Sequence, residues 1–200
     1  MRIYAQQKDW GFWLDMAVEK KIKSATVVMT GEFYTKEKNR DIERVSVGMC
    51  GRYPITPHIL GEAGYLFMNY NLLRKSEIRN RFFSSLSLQY DLLNLEMSCR
   101  ERIQFTRKSD PATANRNSWY WRNRLKLKYK EKVLGGIPSA TMEMFHPLKK
   151  ETGKFFNEYR YSLDMSYQIV ENRKVKIYAM WIDTDPIDFF AVGLQYDLSL

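Results

Sequence analysis

Apolar and polar residues alternate along most of this sequence. The apolar residues occupy every second position from Trp10 to Val18, and the same spacing recurs from Tyr159 to Tyr167 and from Phe190 to Leu200. An α-helix would bring apolar residues back at intervals of three and four, whereas a strand directs successive side chains to opposite faces. The period of two therefore predicts an all-β chain.

About eleven segments carry this alternation, and neither a linker nor a shift of composition divides them. We predict one domain, residues 10–200, preceded by an N-terminal segment, residues 1–9. Sequential antiparallel strands need only short turns, so the simplest topology is an up-and-down barrel of about 10–12 strands. Bacterial barrels usually have an even number, which makes 10 or 12 the expected count. The predicted strands are 10–19, 25–35, 41–53, 58–70, 78–91, 94–105, 118–129, 138–146, 156–168, 173–182 and 187–200.

The predicted connections alternate between two classes, as do the short periplasmic turns and longer outer loops of transmembrane β-barrels. This alternation favours an antiparallel barrel that crosses the outer membrane. The short class comprises residues 20–24, 54–57, 92–93, 130–136 and 169–172. The longer or more polar class comprises 36–40, 71–77, 106–117, 147–155 and 183–186.

Alternation alone leaves open which face of the strands is inside. A soluble barrel or sandwich would bury the apolar face, whereas a membrane barrel turns it toward lipid. The mean hydropathy of −0.49 is compatible with lipid, because only alternate residues need be apolar. Glu101 and Asn123 fall on the apolar face, and we expect them near the outer interface. Aromatic residues gather near strand ends, as at a bilayer interface; the candidate interface aromatics are Trp10, Trp119, Trp121, Tyr129, Tyr159, Tyr167, Trp181 and Tyr196.

Basic residues recur on the polar face of consecutive predicted strands and account for much of the net charge of +9. Two interpretations stay open: an anion pathway, since rings of Arg and Lys select anions, and a plug of salt bridges that fills a small lumen. The basic ladder comprises Arg79, Arg81, Arg100, Arg102, Arg122, Arg124, Lys126 and Lys128. Its candidate acidic partners are Glu32, Glu62, Glu96, Glu143, Glu158 and Asp164.

Catalysis is an alternative function that would need a nucleophile beside a base. The histidines available are His58, in a predicted turn, and His146, which could approach Ser118 or Ser162. There is no Gly-x-Ser-x-Gly run, and we assign no catalytic residue. The histidines also lack the cysteine spacing of a zinc site, so neither a metal nor another cofactor is expected.

Nucleic-acid binding is disfavoured although the chain is basic, because the basic residues alternate within strands and no recognised binding motif is present. The two cysteines, Cys50 and Cys99, fall on opposite faces of their predicted strands, which makes a disulfide between them geometrically unfavourable.

Several short runs resemble the Bacteroidota outer-membrane β-barrel proteins grouped as domain of unknown function 2490. The similarity extends over nearly the whole chain and implies a location in the bacterial outer membrane without an established activity. The runs that carry it are residues 11–13, 19–22 and 31–33 in the first hairpin, the arginine-rich 98–104, then 122–129, 159–161 and 193–196.

Together these observations predict an outer-membrane β-barrel, either structural or a narrow Arg/Lys-lined pore for small anionic solutes. A barrel-embedded lipid-modifying enzyme and a soluble β-barrel binding protein are the alternatives. The expected partners are membrane lipids and small anionic solutes, with no nucleic acid. Residues 1–7 contain no apolar core of a signal peptide.

Overall fold

The fold is a single sheet closed into a barrel, seen in a computed structural model that describes residues 7–70, 76–109, 117–148, 157–184 and 187–200. The all-β prediction is confirmed. The strands are β1 (Gln7–Ile22), β2 (Ala25–Lys36), β3 (Asp41–Pro54), β4 (Ile59–Tyr70), β5 (Glu77–Leu92), β6 (Leu95–Lys108), β7 (Ser118–Tyr129), β8 (Ile137–Pro147), β9 (Glu158–Val170), β10 (Arg173–Thr184) and β11 (Ile187–Ser199).

The barrel closes through a parallel seam between β1 and β11, in register from Gln7↔Ile187 to Glu19↔Ser199. Every other neighbouring pair is consecutive and antiparallel. The described residues form eleven strands, which agrees with the predicted range of about 10–12. The expectations of an even number and of wholly antiparallel pairing are wrong, because the barrel is mixed. In an odd series of up-and-down strands the first and the last point the same way, so the pair that closes the barrel must be parallel.

The predicted alternation of connections holds at the two ends of the barrel except for residues 130–136, which are long for the short-turn end, and residues 185–186, which are short for the long-loop end. The short-turn end carries residues 23–24, 55–58, 93–94, 130–136 and 171–172, and the long-loop end carries 37–40, 71–76, 109–117, 148–157 and 185–186. Much of the long-loop end lies outside the described residues, as do residues 1–6 of the predicted N-terminal segment. β1 begins at Gln7, before the predicted boundary at Trp10.

Apolar side chains cover the outside of the barrel, and charged side chains fill much of the inside. Leu163 and Met29 point outward and are 69% and 61% exposed, whereas Arg122 and Glu143 point inward and are 9% and 8% exposed. This distribution is the reverse of a water-soluble core. Within the described ranges there is no helix long and apolar enough to cross a membrane.

A small apolar cluster lies inside the barrel beside the seam. Trp13 stacks on Tyr34 with ring centroids 4.2 Å apart, and Tyr178, Ile182 and Ala191 complete the cluster. The sequence places Trp13 on the polar face of its strand, so this apolar patch was not predicted. It occupies part of the lumen beside the charged side chains.

The ring of Tyr178 lies flat across its cross-strand neighbour Gly193, where a Cβ atom would collide with the ring. Asp15 accepts hydrogen bonds from the Tyr34 hydroxyl at 2.8 Å and from the Tyr178 hydroxyl at 2.7 Å. Since Asp15 is on β1 and Tyr178 on β10, this contact reaches over β11 and ties the two sides of the seam together.

Candidate functional site

The lumen contains a cavity of about 800 Å³ in the half nearer the long-loop end. Ten basic and five acidic side chains line it, together with several aromatic rings. The basic residues are Arg44, Arg52, Arg79, Arg81, Arg100, Arg102, Lys108, Arg122, Arg124 and Arg160, and the acidic residues are Glu32, Glu43, Glu62, Glu143 and Glu158.

Six members of the predicted basic ladder, from Arg79 to Arg124, thus line the cavity. Lys126 and Lys128 continue the same face of β7 toward the short-turn end, where Lys128 binds Glu96 at 2.9 Å. The cavity is also lined by Arg44, Arg52 and Arg160, which are not part of the predicted ladder. Their position on the polar face of β3 and β9 was the signal that could have identified them.

Four of the cavity arginines form a group that we call the arginine quartet: Arg100 and Arg102 on β6, and Arg122 and Arg124 on β7. In the β6–β7 register Arg100 lies opposite Arg124, and Arg102 lies opposite Arg122. Like charges that face each other across a strand pair repel. The quartet is therefore unfavourable unless anionic groups are placed among its guanidinium groups.

Two carboxylates neutralise part of the quartet. Glu143 binds Arg100 at 2.6 Å and Arg122 at 2.8 Å. Glu62 binds Arg102 of the quartet and also Arg52, the latter at 2.9 Å. Each carboxylate thus bridges two guanidinium groups from different strands, and this cross-linking fixes the positions of the charges in the cavity.

Two arginines of the cavity have no carboxylate partner among the described residues. The Arg81 Nε donates a hydrogen bond to the Thr106 hydroxyl at 3.2 Å, and Arg81 makes no ion pair with the described residues. Arg124 makes neither a hydrogen bond nor an ion pair with the described part of the chain, and its buried Nε is unsatisfied. The cavity therefore presents positive charge that no carboxylate of the described residues pairs with directly.

Aromatic rings hold several guanidinium groups in fixed planes. Arg102 lies 4.1 Å from the centroid of Phe83, and Arg122 lies 4.2 Å from that of Phe145. Such stacking is favourable where the cation is partly desolvated. Each ring covers one face of a guanidinium, and the N–H edges make the hydrogen bonds. Arg122 donates to Gln104 at 2.9 Å and to Glu143 at 2.8 Å, and Arg102 donates to Glu62.

The other predicted acidic partners are distributed along the lumen. Glu32 binds Arg44 at 2.7 Å, and Glu158 binds Arg160. Asp164 is buried and accepts a hydrogen bond from the Ser139 hydroxyl. Glu77, which binds Arg79 at 2.6 Å and Lys108 at 3.4 Å, was not among the predicted partners because it stands at the first position of β5.

The candidate interface aromatics lie on the outer wall of the barrel. Trp10, Trp119, Trp121, Tyr159 and Trp181 lie toward the long-loop end, and Tyr129, Tyr167 and Tyr196 lie toward the short-turn end.

Two polar residues interrupt the apolar outer wall beside Trp121. The exposed Glu101 carboxylate accepts hydrogen bonds from the Trp121 indole, at 2.6 Å, and from the Asn123 amide. These bonds satisfy the acceptors of a carboxylate that the sequence places on the apolar face.

The described residues do not bring the proposed histidine and serines together. His146 packs edge-on against Trp121 on the outer wall, with ring centroids 6.1 Å apart. Ser118 borders the inner cavity, and Ser162 lies on the inward face of β9 between Arg160 and Asp164. Within the described ranges, no three His, Cys, Asp or Glu side chains are grouped as metal ligands would be.

Comparison with known proteins identifies a family without assigning a function. Residues 10–186 match the family described as Protein of unknown function (DUF2490), so the chain belongs to this family. No curated protein matches the chain.

Proposed function

We propose that this member of the DUF2490 family is a bacterial outer-membrane β-barrel with a narrow, arginine-lined lumen that admits small anionic solutes. The observation that carries the proposal is the outward-facing apolar wall around a charged interior. The proposal has two parts, one concerning the outer wall and the other the lumen, and separate experiments test them.

The outer wall has the composition that a bilayer requires. Val47 is 59% exposed, Ile177 is 49% exposed and Val192 is 45% exposed, and all three lie in the central part of their strands. Soluble monomers rarely expose contiguous apolar patches of more than a few hundred Å². A band of such side chains around the barrel is stable in lipid and promotes aggregation in water.

The spacing of the outer aromatics supports the same conclusion. On β7, Trp121 and Tyr129 are separated by about 26 Å of strand, at roughly 3.3 Å per residue. For a strand tilt of about 40° this is about 20 Å along the barrel axis. The apolar band of outer-membrane barrels is about 25 Å tall and is flanked by aromatic girdles.

The first test is electrophoretic mobility after folding into detergent or lipid vesicles. A transmembrane barrel stays folded in unheated sodium dodecyl sulfate and migrates differently from the heated, unfolded chain. We expect this difference in mobility and flotation of the protein with the vesicles. Recovery of a stable monomer without detergent would instead indicate a soluble barrel.

The lumen supports the second part of the proposal. Its cavity has twice as many basic as acidic side chains, and rings of Arg and Lys favour anions over cations. Planar-bilayer recordings of the folded protein under a salt gradient test this directly. We expect a small conductance with a reversal potential that indicates anion selectivity, whereas cation selectivity or the absence of conductance would contradict an anion pathway.

A further inference from the structure

We infer that the arginine quartet, with Arg81 nearby in the same cavity, is a binding site for a phosphate group that carries two negative charges. This inference rests on the proposed function, because it names the solute class of the same lumen. It requires binding only, however, and not passage through the barrel.

The charge of the quartet indicates a doubly charged ligand. Four guanidinium groups face two carboxylates, Glu143 and Glu62, and Glu62 also serves Arg52 outside the quartet. At least two positive charges remain uncompensated by these contacts. A phosphate monoester carries about two negative charges at pH 7 and has three strong acceptor oxygens.

The position of Arg124 indicates where the ligand binds. Arg124 stands between Arg100 on one neighbouring strand and Glu143 on the other, yet the Glu143 carboxylate binds Arg100 and Arg122 instead. Its buried Nε has no acceptor within the described ranges. A buried donor without an acceptor is costly, and a charged one more so. Because the Arg124 side chain lines the cavity, a phosphate oxygen beside its guanidinium group would supply the missing anionic partner and separate the like charges.

Three further donors of the quartet are unsatisfied in the same region. The Nε atoms of Arg100, Arg102 and Arg122 are buried without a hydrogen-bond partner, as far as the described residues show. Phe83 and Phe145 hold two of these guanidinium groups flat. Arginine presents its N–H groups in a rigid fork that matches the oxygens of phosphate. The ring contacts therefore fix the guanidinium groups of two arginines that line the cavity.

The cavity is larger than a bare phosphate ion. Its volume of about 800 Å³ is in the range of sites that hold small organic molecules. The phosphate group can thus belong to a soluble ester or to a lipid headgroup that enters from the long-loop end. The chemistry recognised by the quartet is the same in both cases, and the choice of probe separates them.

The test is calorimetric titration of the full chain, folded in a zwitterionic detergent, with inorganic phosphate, glycerol 3-phosphate, chloride and dispersed phosphatidic acid. We expect saturable binding of the phosphate probes at one site and no saturable binding of chloride. Binding of glycerol 3-phosphate alone would identify a soluble ester, and binding of phosphatidic acid alone a lipid headgroup. The inference would be overturned if none of the phosphate probes bound saturably.

The matched variants are Arg124→Gln in the quartet and Lys128→Gln, which removes a lumen cation outside the cavity. We expect Arg124→Gln to weaken phosphate binding by roughly tenfold or more, since it removes a charged hydrogen bond, and Lys128→Gln to leave it unchanged. Equal weakening by both variants would show nonspecific attraction and contradict a site.

The unfolding midpoint of Arg124→Gln provides a second measurement. Since Arg124 has no partner in the described ranges, its replacement should raise the unfolding midpoint when phosphate is absent. Phosphate should raise the unfolding midpoint of the wild type but not that of Arg124→Gln. If Arg124 had a structural role instead, the variant would have a lower midpoint than the wild type without phosphate.

The outcomes separate this inference from the proposed function. Saturable phosphate binding by a protein that does not conduct would refute the anion pathway and leave the binding site in place. Anion-selective conductance without saturable phosphate binding would refute the binding site alone.

Discussion

Arg124 lies directly opposite Glu143 in the β7–β8 register, but the Glu143 carboxylate binds Arg100 and Arg122 and leaves Arg124 without a partner among the described residues. The carboxylate thus reaches across β7 to bind an arginine of β6. As a result, the positive charge of Arg124 is unpaired within the described residues.

The Glu143 ion pairs should be important for stability. Glu143→Gln removes the carboxylate but keeps the side-chain volume, and it leaves the guanidinium groups of Arg100 and Arg122 without their shared anion. Breaking a buried pair in this way costs about 3–5 kcal/mol. The measurement is the free energy of unfolding from denaturant titration of the folded protein in vesicles.

The matched control for this change is Glu96→Gln. Glu96 binds Lys128 at 2.9 Å, but both side chains are more exposed than those of the Glu143 pairs. Ion pairs of this kind contribute about 0–1 kcal/mol. Equal losses for the two variants would contradict the proposed importance of burial.

A charged residue introduced on the outer wall should make insertion less favourable the deeper it lies in the bilayer. Leu163→Arg places a cation in the middle of β9, where we expect insertion into vesicles to lose about 2–4 kcal/mol. Leu93→Arg changes a turn residue that is 90% exposed at the short-turn end and should lose about 0–1 kcal/mol. In a soluble barrel both leucines would face water, and neither change would impair folding.

The contact between Gly193 and Tyr178 should tolerate no additional methyl group. Gly193→Ala places a Cβ atom against the Tyr178 ring and should destabilise the barrel by about 1–3 kcal/mol. Gly31→Ala is the control, since no atom lies within 4 Å of the Cβ position there. The unfolding free energies of the two variants provide the comparison, and equal values would show that the ring does not require the glycine.

Much of the fold could be predicted because strand alternation is a local property. The spacing from Trp10 to Val18 is sufficient to predict a strand and to separate its two faces. The parallel pairing of β1 with β11 could not be predicted, since alternation carries no information on strand direction or on the number of strands that close a barrel. The even number typical of bacterial barrels gave the wrong expectation.

The site was predictable to a smaller extent. Alternation places Arg100 and Arg124 on a common face, and the structure places both in one cavity. Which guanidinium groups have partners depends on register and on the reach of side chains across an intervening strand. Neither quantity is encoded in local spacing, so the bridge from Glu143 to Arg100 could not be anticipated.

The cysteines provide the most direct test of the claim that the outer wall faces lipid. Cys99 is exposed on the outer wall, whereas Cys50 is buried inside the barrel. In a Cys50→Ser variant, Cys99 can be labelled with a small fluorophore before the protein is folded into vesicles. We expect brominated lipids to quench the label strongly and aqueous iodide to have no effect. Strong quenching by iodide, with no effect of brominated lipids, would show that the apolar wall faces water.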